Sequence, residues 1–300
     1  MHFIDIVPIG HIFKIITCKK LYFLMCCFIR LKSLMFFNDF FIRSFGCGDR
    51  SNRRKARPMC WGPGVSAAIV CGGVAATVIA NRRNVPVAFQ VAIAWFTLME
   101  ALQFASYLVI NQCDNPINQA LTLLSILHIV FQPFFINGFS LELVPASVKQ
   151  RWRIPVYTLC GISSAIMLLQ LYPFAWAGNC EPNVNLCGSP LCTVSGNWHL
   201  AWNIPYNGLM IHVDQLIGLK WGFPSYMFVS FLVPVLYGAW RFTVFHALFG
   251  PLLAARLTGN VNEVPAVWCL FSLGLTLMAL SPVFRQNFEW RASSNEKSLN

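Results

Sequence analysis

An all-helical, multi-spanning membrane bundle is the fold class this chain predicts, and three observations carry it. Of its 300 residues, 56% are hydrophobic and only 11% are charged, with mean hydropathy +0.57; a soluble domain carries about a quarter charged residues. The apolar residues gather in blocks of about 20, long enough to cross a hydrocarbon core as helices. Lys and Arg cluster in alternate connecting segments, the bias that sets orientation in a bilayer. The net charge of +11 does not argue for nucleic-acid binding. Residues 1–58 hold eleven Lys and Arg against three Asp, and residues 59–300 hold eleven against eight acids. The basic excess is thus a property of the leader, and no basic recognition surface follows Pro58.

The elements follow in order. Span one covers Gly62–Ala80, small and apolar. Span two runs about Pro86–Ile110, span three about Asn118–Phe139, span four about Ile154–Ala177, and the last about Val264–Pro282. The stretch 200–258 has room for two more, making seven. One arrangement places them at Ala201–Leu219 and Phe223–Trp240, with Lys220 at the turn between them and Phe242–Thr258 along the outer interface. The other uses Phe223–Arg241 and Thr243–Leu257, with Trp198–Gly218 as an outer loop or re-entrant piece. The first is preferred, because no Gly, Pro, Asn or Asp marks a turn at Arg241-Phe242. Arg82 and Arg83, then Lys149, Arg151 and Arg153, then Arg285, Arg291 and Lys297 fall on one side. They place the N-terminus outside and the C-terminus in the cytoplasm.

The leader 1–58 interrupts its aromatic and aliphatic residues with Lys and Arg every few positions. It lacks the order of a signal peptide. Translated upstream sequence, with the start at Met59, is the reading that removes Arg53, Arg54, Lys55 and Arg57 from the outer side. A targeting or interfacial segment and a disordered leader are its rivals. Residues 59–292 are expected to form one membrane domain, and 293–300 a disordered tail.

Cys113, Cys180, Cys187 and Cys192 all fall in expected outer loops. Cys60 lies just outside span one, and Cys269 about one turn inside the last span. An oxidising outer compartment makes disulfides the default, although spacing does not choose the pairing. A metal site using the 180–192 cysteines with His199 is the rival, and C-x6-C with C-x4-C is no recognised zinc spacing.

Ionisable groups within spans are costly and mark function. Glu100 and His128 each lie ten residues from the outer ends of adjacent spans, some ~15 Å below the outer surface. Gln103 and Ser125 form a second matched level, and Gln132 is four residues beyond His128. Each helix therefore carries a polar stripe. A proton-sharing Glu–His pair costs less than two isolated buried charges. The structural alternative is an interhelical hydrogen-bonded pair. Weaker candidates are His212 and Asp214, if Ala201–Leu219 spans, together with Arg241, His246 and Glu263. Arg241 reads as a snorkelling side chain, and Asn262 with Glu263 as ordinary helix capping. Trp198, His199 and Trp202 read as an interfacial aromatic belt.

The stretches MCWGP (59–63), MEALQFASY (99–107), LHIVFQPFFIN (127–137), GNWHLAWNIP (196–205), LYGAWRF (236–242) and NEVPAVWCLFS (262–272) resemble an uncharacterised family of multi-spanning membrane proteins whose members begin near the MCW motif. That resemblance implies a shared fold and a start at Met59, but no activity. Retinal proteins need a Lys in the last span, and Val264–Pro282 has none. The receptor signatures DRY and NPxxY are absent. Ser125 and His128 faintly resemble the first part of the alkaline-ceramidase-like hydrolase pattern, but its late H-x-x-x-H does not occur.

Three functions remain. The first is small-solute or proton-linked transport or ligand binding at Glu100, Gln103, Ser125, His128 and Gln132. The second is a membrane-embedded, metal-assisted lipid hydrolase, with His128 and Glu100 joined by His212 or His246. The third is a purely structural membrane protein. The expected partners are the lipid bilayer and a small molecule or lipid, with no nucleic acid; the sequence does not decide between a cofactor and none.

Overall fold

The structure, a computed structural model, describes residues 61–218, 220–269 and 271–290. The leader, Cys60 and the tail lie outside the described residues. Four helices are long and apolar enough to cross a membrane: α1 (Pro63–Arg82), α2 (Val87–Tyr107), α3 (Pro116–Leu141) and α4 (Ala146–Leu171). Proline marks the start of all four. It occupies the first turn of α1 and α3, and the N-cap of α2 and α4. A missing N–H is harmless there and the fixed φ suits helix entry. Asn115 caps α3 with its side chain, accepting from Ile117 N at 2.9 Å. The fourth helix starts at Ala146 rather than Ile154, so Lys149, Arg151 and Arg153 are helical, and Lys149 pairs with Glu142 at 2.5 Å.

Beyond α4 comes a polar cap, residues 172–223, where the all-helical expectation fails. Strands β1 (Cys192–Ser195) and β2 (Leu200–Asn203) form an antiparallel hairpin with Cys192 opposite Asn203 and Ser195 opposite Leu200. Two asparagine side chains hold β1 as a neighbouring strand would. Asn118 Nδ2 donates to Thr193 O at 2.9 Å and its Oδ1 accepts from Thr193 N at 2.8 Å. Asn111 treats Ser195 alike, accepting from its N at 2.8 Å and donating to its Oγ at 2.7 Å. Disulfides Cys113–Cys192 and Cys180–Cys187 tie the hairpin to the α2–α3 connection and close the loop before it.

The preferred span Ala201–Leu219 is not formed. Its first residues are β2, and its only helix is α5 (Ile211–Ile217), two turns long. Asn203, Pro205, Asn207 and Gly208 break the apolar run after Trp202. Apolar helix α6 (Pro224–Leu236) follows, then α7 (residues 240–257), so the helices of this stretch fall where the other arrangement places them. The turn between them is at Gly238, whose φ of 95° is the left-handed region glycine tolerates. It lies three residues before Arg241-Phe242, where the sequence carries no turn marker. Both helices contain wide turns, Phe228–Leu232 and Leu248–Leu252, and Pro251 sits in the second. The chain finishes with α8 (Val264–Trp268), α9 (Phe271–Leu280) and α10 (Pro282–Arg285).

Side-chain contacts give the bundle two unlike ends. At the cap end, Tyr107 of α2 meets His199, Asn118 of α3 meets β1, and Asn262 before α8 accepts from Trp202 N at 3.1 Å through its carbonyl. At the other end, the Arg285 guanidinium lies 5.4 Å from the Phe89 ring at the start of α2, and Trp290 N donates to Leu143 O at 2.8 Å. Between them, Asn137 of α3 joins three helices. Its Nδ2 donates to Pro133 O at 3.0 Å and to Val229 O at 3.1 Å, and its Oδ1 accepts from Tyr237 O–H at 3.0 Å.

Candidate functional site

Glu100, Gln103, Ser125, His128 and Gln132 are all buried. The expected Glu100–His128 pair is nevertheless not formed among the described residues. His128 Nε2 bonds to Trp95 O at 2.7 Å, its ring stacks on Trp95 at 4.3 Å, and its Nδ1 has no partner. Helix geometry explains the separation. Trp95 and Glu100 are five residues apart, which places them about 140° apart around α2. His128 therefore packs on one side of α2 while Glu100 faces another. The α2–α3 seam is as expected; the pairing across it is not. Ser125 turns back to Leu121 O at 2.9 Å, and Gln132 Oε1 accepts from Tyr226 O–H of α6 at 3.1 Å.

Glu100 and Gln103 share their own stripe of α2 with Phe96, Met99, Ser106 and Tyr107. Glu100 Oε2 has no hydrogen-bond partner, and neither amide atom of Gln103 has an oxygen or nitrogen partner. Their polar neighbour is the Cys269 thiol, which lies within electrostatic reach of Glu100 and against Gln103. The thiol's own bond goes to Pro265 O at 3.4 Å. Cys269, expected as a disulfide candidate, is thus a buried free thiol, because its position one turn inside the bundle keeps it from the cap cysteines. It also lines a cavity of about 40 Å³ with Gln132, Tyr226 and Trp268. Cys269 therefore links the two halves of the polar set. Buried polar atoms are almost always paired, so Glu100 Oε2 and a Gln103 amide with only a thiol beside it require an explanation.

The most elaborate polar construction lies at the cap end. Glu263 is fully buried and occupies the N-cap position of α8, but its side chain does not cap that helix. It turns to the hairpin instead. Its carboxylate accepts from Asn197 N at 2.9 Å, Trp198 N at 2.6 Å, His199 N, and Thr258 O–H at 2.5 Å. Successive backbone N–H groups form a nest for an anion, here filled by the protein's own carboxylate. Gly196 is required beside it, because a Cβ there would come within 2.6 Å of His199 O. His199 Nδ1 lies 2.5 Å from Tyr107 O–H, which donates at 2.8 Å to Trp61 O. Burial pushes the His199 imidazole down from its ordinary 6.5 to about 3. The expected aromatic belt is corrected accordingly: His199 and Trp202 are interior cap residues rather than interfacial ones. The sequence signal for the nest, a Gly-Asn-Trp-His turn with a carboxylate far along the chain, is visible only with the fold in hand.

The remaining candidates separate. His212 is exposed on α5 while Asp214, two residues on, is buried, so neither lies in a span. Asp214 Oδ2 accepts from Gly222 N at 2.7 Å; burial raises its pKa and that bond opposes the shift. Arg241 reaches Asn287 O and Glu289 O at 3.4 Å and lies 5.5 Å from the Trp240 ring, as a helix-end side chain does. His246 is buried among Phe231, at 4.4 Å, Phe242 and Trp268. Glu100, His128, His212 and His246 therefore do not converge. Among the described residues, no three His, Cys, Asp or Glu side chains are placed to hold a metal.

No curated protein and no solved structure matches the chain. Residues 64–289 match a family of unknown function, and that span contains every quoted motif after MCWGP. Because this match covers most of the chain, the protein belongs to that family of unknown function, DUF5765.

Proposed function

We propose that this is a seven-span membrane protein that binds a small polar solute or a proton at Glu100 and Gln103. In this reading α1, α2, α3, α4, α6, α7 and the α8–α9 pair each cross the bilayer, the cap faces outward and the basic end faces the cytoplasm. The observation that carries the reading is the group of orphaned atoms on Glu100 and Gln103 beside Cys269. An unpaired polar group in the core costs about 1–3 kcal/mol, and ionisable groups within a bilayer are mostly retained for function. Gln132 and Tyr226 extend the polar surface through the cavity they share with Cys269. That cavity exceeds the roughly 10–15 Å³ a water needs.

The experiment is proton flux into proteoliposomes loaded with a pH-sensitive dye, across pH 5–8. Wild-type protein is expected to exceed empty liposomes, with Glu100→Gln reducing the flux at least roughly tenfold, as for a lost general acid–base group. Flux equal to that of empty liposomes, or an unchanged Glu100→Gln, overturns the proton-linked reading. A structural role has its own support in the His128–Trp95 and Gln132–Tyr226 bonds, which join helices. Glu100→Gln and His128→Ala proteins with lowered thermal midpoints and wild-type flux would select that role.

A further inference from the structure

A second cavity, remote in sequence from the intramembrane residues, lies in the cap. Its volume is about 250 Å³, and its wall includes Gln170 from the end of α4, Glu181, Tyr206, Asp214 of α5 and Lys220. This is somewhat smaller than the roughly 300–1,000 Å³ of drug-sized pockets, so the ligand it suits is small. Two buried wall residues leave one hydrogen-bond acceptor each without a partner. Gln170 Nε2 donates to Gly222 O at 2.8 Å, which fixes the amide and leaves Oε1 as the orphan. Asp214 Oδ2 accepts from Gly222 N and the Trp221 backbone N–H also stabilises the carboxylate, yet Oδ1 has no hydrogen bond of good geometry. Both side chains are more than nine-tenths buried. Among the described residues, neither Asp214 nor Glu181 forms an ion pair with Lys220. Glu181 instead accepts from Gln215 Nε2 at 3.0 Å.

Two orphaned acceptors, one of them a carboxylate, call for a ligand that donates hydrogen bonds and carries positive charge. The groups do not assemble a metal shell. We propose that the cap cavity binds a protonated primary amine, with Asp214 Oδ1 and Gln170 Oε1 accepting from its ammonium group. Such a group can come from a free amine or from the headgroup of an aminophospholipid. Tyr172 and Trp176, which follow α4, and Leu216 on α5 are exposed in the same cap, as a surface that meets lipid headgroups would be. Aromatic residues of this kind gather at headgroup level.

The test uses the full chain in detergent, with ethanolamine as the free probe, choline as a control without N–H donors, and the thermal midpoint as readout. Ethanolamine is expected to raise the midpoint, and choline to bind roughly tenfold or more weakly, as loss of charge-assisted bonds implies. Asp214→Asn should abolish the ethanolamine shift with little change in the ligand-free midpoint, because the amide oxygen can keep the Gly222 N bond while the buried charge is removed. Should that variant fail to fold, Gln170→Met carries the same test: a lost shift supports the proposal and a retained one overturns it. Glu100→Gln should keep the shift, which separates this cavity from the intramembrane reading. In nanodiscs, phosphatidylethanolamine raising the midpoint above phosphatidylcholine and blunting the ethanolamine response identifies the lipid as the source. An ethanolamine shift that both lipids leave intact identifies the free amine. No response to ethanolamine or to phosphatidylethanolamine, an equal response to choline, or a retained shift in Asp214→Asn overturns the proposal.

Discussion

His199 and Glu263 illustrate how single residues hold the cap to the bundle. Glu263 takes three backbone N–H groups from one hairpin turn and a hydroxyl from Thr258, so the turn cannot leave without stranding a buried carboxylate. His199, in the same turn, gives its ring to Tyr107, on whose ring it stacks at 5.7 Å, and lies tilted against Trp61 at 5.5 Å. Its imidazole meets the Tyr107 hydroxyl and the Trp61 ring, while the nearby Glu263 carboxylate is already engaged by the backbone N–H groups of the turn. Its depressed pKa therefore has a thermodynamic consequence. Between 6.5 and about 3 the unfolded chain binds a proton that the folded cap does not. Stability must then rise with pH across that window and fall as the solution is acidified from neutrality. Thermal midpoints measured from pH 7.5 to pH 4.5 should decline in the wild type. His199→Phe keeps the aromatic stacking but cannot take up the proton, so its decline should be shallower, although its neutral-pH midpoint is lower for want of the Tyr107 bond. Parallel declines in the two proteins would refute this role for His199.

At the scale of elements, close approach between helices explains what a hydropathy profile leaves out. The α1–α2 contact turns on Gly73, where a Cβ would overlap Thr97 Oγ1 and lie 2.9 Å from Thr97 Cγ2 and 3.0 Å from its Cβ. Rotating Thr97 exchanges one clash for another and breaks its bond to Ile93 O at 2.7 Å. Small residues of this kind let membrane helices pack backbone to backbone. Gly73→Ala should destabilise by about 1–3 kcal/mol, the usual cost of overpacking, in denaturant unfolding in mixed micelles. The double variant with Thr97→Ala should recover most of the loss; equal stability of Gly73→Ala and wild type would show that the seam is loose. The long helices were legible because hydrophobic length and proline punctuation are local signals: the expected first three spans match α1, α2 and α3 to within a few residues. The stretch 200–258 was not, because Leu200–Trp202 is apolar for burial inside a cap, not for lipid, and apolarity alone does not distinguish the two. The candidate site was legible as a list of buried polar residues. Which of them meet depended on the angular offset between Trp95 and Glu100, which requires knowing the neighbour on each face of α2.

Over the whole molecule, charge and redox chemistry point the same way. Arg82, Arg83, Lys149, Arg151, Arg153 and Arg285 lie at the end away from the cap. The cap end carries Asp114, Glu181, Asp214 and Glu263 with Lys220 and Arg256, together with both disulfides. Lys and Arg in short connections are retained in the cytoplasm, whereas disulfides persist in an oxidising compartment. These are independent constraints, one acting during insertion and the other on the finished fold, and both favour the proposed orientation. Single cysteines placed at the two ends read the orientation directly. Leu216 is 86% exposed on α5, and Arg83 is exposed in the α1–α2 turn. In intact cells a membrane-impermeant maleimide should label Leu216→Cys above the parent protein and leave Arg83→Cys unlabelled until the membrane is permeabilised. The reverse pattern would invert the topology and place the amine-binding cavity in the cytoplasm. Labelling of both in intact cells would mean that these helices do not form a sealed, singly oriented bundle, and the intramembrane depth assigned to Glu100 and Gln103 would lose its basis.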